Sequence, residues 1–342
     1  MRFIFLFIFL SGVFKVIAQK EHIIIKDSGF VFDLAPFNEC HASTLVDLGN
    51  GKVMCSWFGG THERHPDVAI WTSVYDGIAW SKPQEVANGI VNDTLRFPCW
   101  NPVLYRNHQN ILYLFYKIGP SPAEWQGVYK FSKDKGKIWS SETKMPDNFL
   151  GPIKNKPIEL DGCILSPTST ESIDGTRWKS FIEISTPDFK KIKQVPIDTA
   201  AHIKVIQPTL LAHSPKKVQA LLRSDQNKIL QSWSYDRGNT WSTITPTTLM
   251  NPNSAIDAIA LKNKFMLVYN PSLSGKDWWA GRAKLNIAIS ADGLSWQDIL
   301  VLEDKEAGEF SYPAIIKTQD GKIFISYTYN RKKIKYIILE IK

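Results

Sequence analysis

The 342-residue chain has little that points to a metal, a redox centre or a nucleic acid. Its few cysteines lack metal-type spacing, and we expect buried free thiols, although an oxidising compartment would allow them to pair: Cys40, Cys55, Cys99 and Cys163. No low-complexity segment or linker interrupts the chain, so one large domain is expected. The lysines are scattered and no nucleic-acid motif occurs, so the net charge of +8 favours an acidic glycan over DNA or RNA. We expect no cofactor.

Only one long apolar run is present, and it lies at the N-terminus. Residues 3–14 follow Met1-Arg2 and lead into Val16-Ile17-Ala18. This is the form of a secretory signal cleaved after Ala18, so residues 1–18 are predicted to be removed and the protein to be secreted or periplasmic. The run is short for a bilayer crossing and no comparable stretch follows, so no membrane span is expected in the mature chain.

What the chain does contain is a repeated turn. Residues 73–80, 132–139, 234–241 and 290–296 share Ser, Asp, Gly and Trp in one order, and residues 185–188 hold a weaker copy. The Asp can accept backbone N–H groups, the Gly can take a positive φ, and the Trp can cover the hairpin. The successive Asp residues, from Asp76 to Asp292, are 58, 54, 48 and 56 residues apart. This period predicts an all-β, six-bladed β-propeller over residues 19–342, with one four-stranded blade per repeat.

The first strands of the six repeats align at a position that mostly precedes a proline. Proline suits the start of such a strand because the hydrogen-bonded ladder has not yet formed there. The residue at this position should face one mouth of the central channel in every blade: His41, Asn101, Lys156, Gln207, Ala255 and Tyr312. Their chemical diversity indicates a site with differentiated roles, and a set of solvated loop residues is the alternative. Residues 310–340 and a strand from residues 22–34 should form the sixth blade.

A polar loop and two arginines add further candidates. The loop over residues 59–67 holds His62, Arg64 and Asp67, but it has no helix or fourth ligand to support a metal site, so substrate contact or plain solvation is expected. Arg223 and Arg282 lie at strand ends. Two guanidinium groups beside the channel would suit a carboxylate, whereas single surface cations are the simpler interpretation.

The repeated turns resemble the Asp boxes of the sialidase superfamily, and the mature chain is similar to the BNR-repeat, sialidase-like propellers of secreted bacterial proteins. In sialidases three arginines bind the sugar carboxylate, a tyrosine paired with a glutamate is the nucleophile, and an aspartate is the acid/base. The resemblance implies that Arg223 and Arg282 are the second and third arginines and that Tyr312 is the tyrosine. Asp67 is a looser match to the acid/base.

Two positions depart from that pattern. His41 stands where sialidases have the first arginine, in an Arg-Ile-Pro motif, and Gln207 stands where they have the glutamate. A glutamine cannot act as a base, so Tyr312 would lack the group that makes a phenol nucleophilic. An ordinary exo-sialidase is therefore not expected.

The remaining residues favour β-elimination on a uronic acid. Arginines that neutralise the uronate carboxylate make its C5 proton easier to remove, and neutral His41 and Tyr312 can serve as base and acid. The product would carry a 4,5-unsaturated uronyl end, from a polysaccharide lyase or an oligosaccharide dehydratase. Substrate would be an anionic oligosaccharide or polysaccharide, bound by residues from several blades: Arg223, Arg282, Gln207, Asn101, Lys156, His62 and Arg64.

Two other functions stay open on the sequence. A sialidase-like glycoside hydrolase would use Asp67 as acid and Tyr312 as nucleophile, or another carboxylate such as Glu63. A non-catalytic glycan-binding propeller would bind through Trp125, Lys156 and Asn101. A closed propeller is expected to be a monomer.

Overall fold

The computed structural model describes residues 23–197, 203–277 and 279–341, and in these ranges the chain forms strands and turns without a helix. The predicted signal segment, residues 1–18, lies outside the described residues. A membrane-crossing helix of sufficient length and apolarity is accordingly not found in the three ranges.

The described strands form six antiparallel sheets of four strands each, and each sheet is one blade of a propeller. After β1 (Ile23–Phe30), blade 1 holds β2 (Glu39–Gly49), β3 (Lys52–Gly60), β4 (Ala69–Tyr75) and β5 (Gln84–Ala87), and blade 2 holds β6 (Cys99–Arg106), β7 (Leu112–Ile118), β8 (Gln126–Ser132) and β9 (Thr143–Lys144). Blade 3 holds β10 (Ile158–Leu160), β11 (Cys163–Glu171), β12 (Trp178–Ser185) and β13 (Ile192–Pro196), and blade 4 holds β14 (Val205–Ala212), β15 (Val218–Ser224), β16 (Lys228–Ser234) and β17 (Thr245–Met250). Blade 5 holds β18 (Asp257–Ala260), β19 (Phe265–Tyr269), β20 (Lys284–Ser290) and β21 (Gln297–Asp304), and blade 6 holds β22 (Phe310–Lys317), β23 (Ile323–Tyr329) and β24 (Lys333–Ile341) with β1. The predicted six-bladed β-propeller is confirmed.

Blade 6 closes the ring with strands from both ends of the chain. Strand β1 pairs antiparallel with β24, which gives the sheet order β1-β24-β23-β22. The predicted combination of the C-terminal strands with an N-terminal one is therefore confirmed. The ring is therefore closed by the hydrogen bonds between β1 and β24.

Apolar side chains fill the spaces between blades. Each sheet is covered on both faces by its neighbours, so its middle strands are apolar along most of their length instead of alternating. Strand β7 is buried at every residue but its last, and β15 is buried throughout. Trp57 and Trp100 are among the largest side chains that are fully enclosed.

The repeated turns join the third and fourth strands of blades 1 to 5. In blade 4, Asp236 accepts hydrogen bonds from the backbone N–H of Thr240 at 2.8 Å and from the Ser234 hydroxyl at 2.8 Å, and the Trp241 indole donates to the carbonyl of Gly238 at 3.0 Å. The weaker copy in blade 3 is built on Asp188, which accepts from the Thr186 hydroxyl at 2.6 Å. Because strands alternate in direction, these turns lie at the end of the propeller opposite to the start of each innermost strand.

Polar side chains close the middle of the channel. The Nζ of Lys156 lies 2.8 Å from both carboxylate oxygens of Asp257, the first residue of β18. Asp257 also accepts from the hydroxyl of Thr209 in blade 4 at 3.0 Å and from the N–H of Ile315 in blade 6 at 2.9 Å. We call Lys154, Asn155, Lys156 and Asp257 the channel plug. The plug connects the inner strands of blades 4, 5 and 6 to the segment that leads into blade 3.

The four cysteines are free. Cys40, Cys55 and Cys99 are buried, and burial raises the pKa of each thiol, whereas Cys163 is exposed at the start of β11. Three of the four thiols are thus packed into the blades as expected, and the fourth is not.

Candidate active site

The innermost strands of four blades share a bulge near the end where they begin, which we call the mouth. The register of β6, β14 and β22 shifts by one residue at Asn101-Pro102, Gln207-Pro208 and Tyr312-Pro313. The residues before the prolines take a positive φ, of 36°, 55° and 54° for Asn101, Gln207 and Tyr312. A bulge re-aims a side chain without ending the strand. Three of the predicted mouth residues are therefore placed by one recurring backbone device.

In blade 1 the equivalent residue is Ala42, with a φ of 56°, and the sequence alignment that placed His41 there was wrong by one residue. His41 pairs with Phe58 across β2 and β3, as Ile206 pairs with Arg223 in blade 4. Blade 1 has no proline after its bulge, so the sequence lacked the marker that fixed the other alignments.

The bulges are held from beneath by the channel plug. The Asn155 amide donates to the carbonyls of Gln207 and Pro208, both at 3.0 Å, and Lys154 donates to the carbonyl of Pro313. Burial lowers the pKa of Lys154 to about 7. The plug thereby holds the backbone at and just after Gln207 in blade 4 and just after Tyr312 in blade 6.

Tyr312 stands at the centre of the mouth. Its phenolic oxygen accepts hydrogen bonds from Arg223 Nη1 at 3.0 Å and Gln207 Nε2 at 3.3 Å. The side-chain amide oxygen of Gln207, Oε1, in turn accepts from Arg223 Nη1 at 3.1 Å. With both donors directed at the oxygen, the phenolic proton is left for donation to a ligand.

His41 packs against the same phenol, with the two ring centroids 4.1 Å apart. The side chain is buried, and its Nδ1 is enclosed without a hydrogen-bond partner. Burial lowers the pKa of His41 well below its usual value, and the cations Arg331, Arg282 and Arg223 lower it further. The imidazole is therefore neutral at physiological pH and can accept a proton.

Among the residues that the structure describes, the hydrogen-bond partners of Arg223 are uncharged groups. Besides Tyr312 and Gln207, it donates through Nε to the side-chain oxygen of Asn253 at 2.7 Å. It is nine-tenths buried. A buried cation without a directly bonded anion is costly, and a ligand carboxylate would offset that cost.

Arg282 lies next to Arg223 and is already paired. It donates to Glu309 at 2.9 Å and to the Asn253 carbonyl at 3.2 Å, and it is 3% exposed. Burial and then the neighbouring Arg223 lower its pKa, while Glu309 raises it. The structure brings the two predicted carboxylate-binding arginines together, with Asn253 between them.

A third guanidinium, which the sequence analysis missed, completes the cluster. Arg331 lies in the turn between β23 and β24, donates to Glu309 at 2.8 Å and is paired with Glu63. Glu63 and Glu309 raise the pKa of Arg331 against the opposing effect of burial. No repeat position marks this residue, so no sequence signal was at hand to find it.

Glu171, at the end of β11, was also missed. Burial raises the pKa of its carboxyl, with Arg223 and Arg64 acting in the opposite direction. Arg223 was singled out because it is a charged residue at the end of an apolar strand. Glu171 has the same position in β11, so the same criterion could have found it.

Three further candidates lie in the loop between β3 and β4. Asp67 is 40% exposed and accepts from the Thr61 hydroxyl at 2.5 Å and its N–H at 2.9 Å. Burial acts to raise the pKa of Asp67, but those hydrogen bonds and His65 outweigh it and lower the pKa. Asp67 is thus ionised and unsuited to donate a proton. His62 and Arg64 are exposed in the same loop.

Asn101 and Lys156 differ in their placement. Asn101 occupies the blade-2 bulge and is 6% exposed at the mouth. Lys156 directs its ammonium to Asp257 and to the Ala258 carbonyl at 3.1 Å, which places it in the channel plug; its predicted contact with substrate stays a prediction. Within the described residues, no group of three His, Cys, Asp or Glu side chains is arranged to hold a metal ion.

The fold and this arrangement define a sialidase-like six-bladed propeller. The family model described as "BNR repeat-like domain" matches residues 51–325, and the chain belongs to that family. No curated protein matches the sequence.

Solved structures share the fold at low identity. A protein of unknown function from Dyadobacter fermentans is 15% identical with a TM-score of 0.75, over 94% of this chain and 99% of that one. The NanB sialidase of Streptococcus pneumoniae, as its K499G mutant, is 14% identical with a TM-score of 0.71, over 89% of this chain and 68% of that one. The intramolecular trans-sialidase of Ruminococcus gnavus is 13% identical with a TM-score of 0.68, over 92% and 96%.

Proposed function

We propose that the protein is an enzyme that cleaves or dehydrates uronic-acid-containing glycans by β-elimination. The observation that carries the proposal is the pairing of a neutral, buried His41 with Tyr312, whose oxygen accepts from an amide rather than from a carboxylic acid. A base and an acid then lie side by side, beside a guanidinium that is hydrogen-bonded to Tyr312, Gln207 and Asn253.

The uronate carboxylate binds on the side of Arg223 and Arg282, which makes the C5–H more acidic by stabilising the enolate. The C5 proton passes to the imidazole of His41, and its electron pair forms the C4=C5 double bond. The C4–O4 bond breaks, and the leaving oxygen takes the proton of Tyr312. Proton transfer from His41 through solvent to Tyr312 restores the starting state. Positioned acid and base groups contribute a factor of about 10²–10⁴ to such a rate.

A nucleophilic role for Tyr312 has less support. A phenol needs a neighbouring base to attack near neutral pH, and the residues that hydrogen-bond to its oxygen, Gln207 and Arg223, are donors and not bases. His41 contacts Tyr312 through ring packing and makes no hydrogen bond to its oxygen.

The test is the ultraviolet absorbance of a conjugated uronate during incubation with uronic-acid oligosaccharides, together with the masses of the products. Wild type should give unsaturated products, and Tyr312→Phe should lose about 10²-fold or more in rate. Tyr235→Phe is the matched control, because that tyrosine is exposed in a turn at the opposite end of the propeller. Unsaturated product from Tyr312→Phe at the wild-type rate, or none from wild type, refutes the proposal.

Hydrolysis is a second candidate, and Glu171 is the observation that favours it. A half-buried carboxyl group with a raised pKa is suited to protonating a glycosidic oxygen. Release of a saturated acidic sugar that is abolished in Glu171→Gln would establish hydrolysis in place of elimination.

A further inference from the structure

A cleft opens on the mouth side of the propeller between blades 2 and 3. Its volume is about 390 Å³, within the range of small-ligand sites. Aromatic and amide side chains line it, including Trp125, Phe149, Phe181, Asn148 and Gln194. Such a mixture of flat apolar faces and hydrogen-bonding groups suits a sugar ring, which has both kinds of surface.

Trp125 is fixed in the blade-2 wall of this cleft. Its ring lies edge-on to Trp100, with centroids 5.9 Å apart, and the Trp100 indole donates to the carbonyl of Gly119 at 2.8 Å. A Cβ on Gly119 would come within 2.5 Å of the Trp125 Cα. The glycine therefore allows the loop to fold close enough to present the tryptophan.

The loop that carries Asn148 and Phe149 is equally well anchored. The buried carboxylate of Glu183 accepts from the N–H of Leu150 at 2.9 Å and of Gly151 at 2.8 Å. A Cβ on Gly127 would lie 2.4 Å from the Leu150 carbonyl oxygen, so the loop packs directly on β8. The walls of the cleft are preorganised, which lowers the cost of binding a ligand.

The charge of the cleft differs from that of the Arg223 site. Asp147 and Glu171 are its charged lining residues, and no lysine or arginine is among the residues that line it. An anionic sugar would be repelled there, whereas an uncharged sugar would meet acceptors for its hydroxyl groups.

Glu171 connects the cleft to the mouth. It lines the cleft, and its carboxyl is within electrostatic reach of Arg223 and Arg64. Two residues before Glu171 on β11, the Ser169 hydroxyl accepts from the backbone N–H of Gln207 at 3.2 Å, and the Gln207 side chain is bonded to Arg223. The cleft and the Arg223 site are therefore neighbours at the mouth.

We propose that this cleft binds an uncharged sugar, the unit joined to the acidic sugar held at Arg223. The presence of the acidic neighbour rests on the proposed function, whereas the binding of an uncharged sugar does not. The substrate would then be a mixed glycan in which neutral and acidic units are linked.

The experiment uses saturation-transfer NMR with methyl glycosides of glucose, galactose and xylose, and with methyl glucuronide. It is run on the Tyr312→Phe protein, so it needs no turnover. At least one neutral glycoside should bind, and Trp125→Ala should weaken it by about tenfold, in line with the loss of an aromatic contact. Trp178→Ala is the matched control, because that half-buried tryptophan lines a separate cleft on the other side of blade 3.

A second variant guards against loss of folding in Trp125→Ala. Asp147 is exposed, so Asp147→Lys should fold normally, and methyl glucuronide should then displace the neutral glycoside from the cleft. Neutral-sugar binding that survives Trp125→Ala, or displacement of the neutral glycoside by methyl glucuronide while Asp147 is intact, overturns the proposal. Absence of any elimination product refutes the proposed function alone, because the NMR result stands without it.

Discussion

At the scale of single residues, Arg223 is the guanidinium of the mouth whose hydrogen-bond partners, within the described part of the chain, are all neutral. Arg282 and Arg331 are paired with Glu309 and Glu63, while Arg223 is bonded to neutral oxygens. Arg223 holds three groups at once because its planar fork presents donors in several fixed directions. A lysine, with a single point of charge, has no such geometry.

Arg223→Lys should therefore raise KM for a uronate oligosaccharide by about 10- to 100-fold, the worth of a hydrogen bond to a charged group. The rate should fall as well, because Tyr312 loses a donor. Steady-state kinetics on the substrate and on its methyl ester separate the two effects. An equal rise in KM for the ester would contradict a carboxylate contact.

His41 gives a pH prediction of definite sign. Burial, reinforced by Arg331, lowers its pKa below the usual 6.5, so the imidazole stays unprotonated as pH falls through 6.5. The acid limb of kcat/KM should lie below pH 6.5, since this limb reports the base of the free enzyme. Arg331→Gln should move the limb upward by removing a neighbouring cation. A wild-type limb at or above 6.5 would exclude His41 as the base.

At the scale of elements, the glycine of the repeated turn has different surroundings in different blades. Gly77 and Gly293 both take a positive φ, of 110° and 75°. A Cβ on Gly77 would meet nothing within 4 Å, whereas one on Gly293 would lie 2.3 Å from the Gln219 side chain. The turn of blade 5 is therefore packed against blade 4 at its glycine, whereas the turn of blade 1 is open at Gly77.

Gly77→Ala should lower the free energy of unfolding by about 1–2 kcal/mol, the cost of a left-handed conformation for a residue with a Cβ. Gly293→Ala should lower the free energy of unfolding by about 1–3 kcal/mol more, because its Cβ would overpack against Gln219. Urea denaturation of the two variants measures the difference. Equal losses would show that the contact between blades 4 and 5 yields without cost.

The turn carboxylates also make stability depend on pH. Backbone hydrogen bonds from Ser295 and Leu294 lower the pKa of Asp292 from 3.8 to about 2. The folded state therefore favours the ionised form, so this stabilisation is full above pH 4 and is lost as pH falls towards 2. Asp292→Asn does not titrate and should flatten that part of the profile in urea titrations at each pH. A profile as steep as that of wild type would assign the acid sensitivity elsewhere.

The sequence predicted the elements better than the site, for a physical reason. The Asp, Gly and Trp of each turn act locally, so their spacing reported the blades directly. Tyr312, Gln207 and Arg223 meet across blades 4 and 6, and the proline after each bulge gave a partial guide to them. Arg331 lies in the turn between β23 and β24, and Glu171 lies at the end of β11. Only closure of the ring brings these segments towards the mouth, so sequence spacing does not mark them.

At the scale of the whole molecule, the channel plug ties the ring together at its centre. Asp257 of blade 5 bonds to Thr209 of blade 4, to Ile315 of blade 6 and to Lys156, which precedes blade 3. The six sheets surround the axis, so contacts between blades at the axis are made by the polar side chains of the plug. The plug also holds the backbone of Gln207, which links the stability of the ring to the geometry of the mouth.

Removing Asp257 and removing Lys156, the two partners of the ion pair in the plug, should not destabilise the protein equally. Asp257→Ala removes the carboxylate that pairs with Lys156 and accepts from Thr209 and the Ile315 N–H, and it should cost about 3–5 kcal/mol of unfolding free energy. Lys156→Met leaves Asp257 with its other donors and should cost less, about 1–3 kcal/mol. Urea denaturation gives the order of the two losses, and the reverse order would contradict it. Lys156→Met should also leave KM for an acidic glycan unchanged, because its ammonium serves the plug and not the ligand; a raised KM would return Lys156 to the binding site.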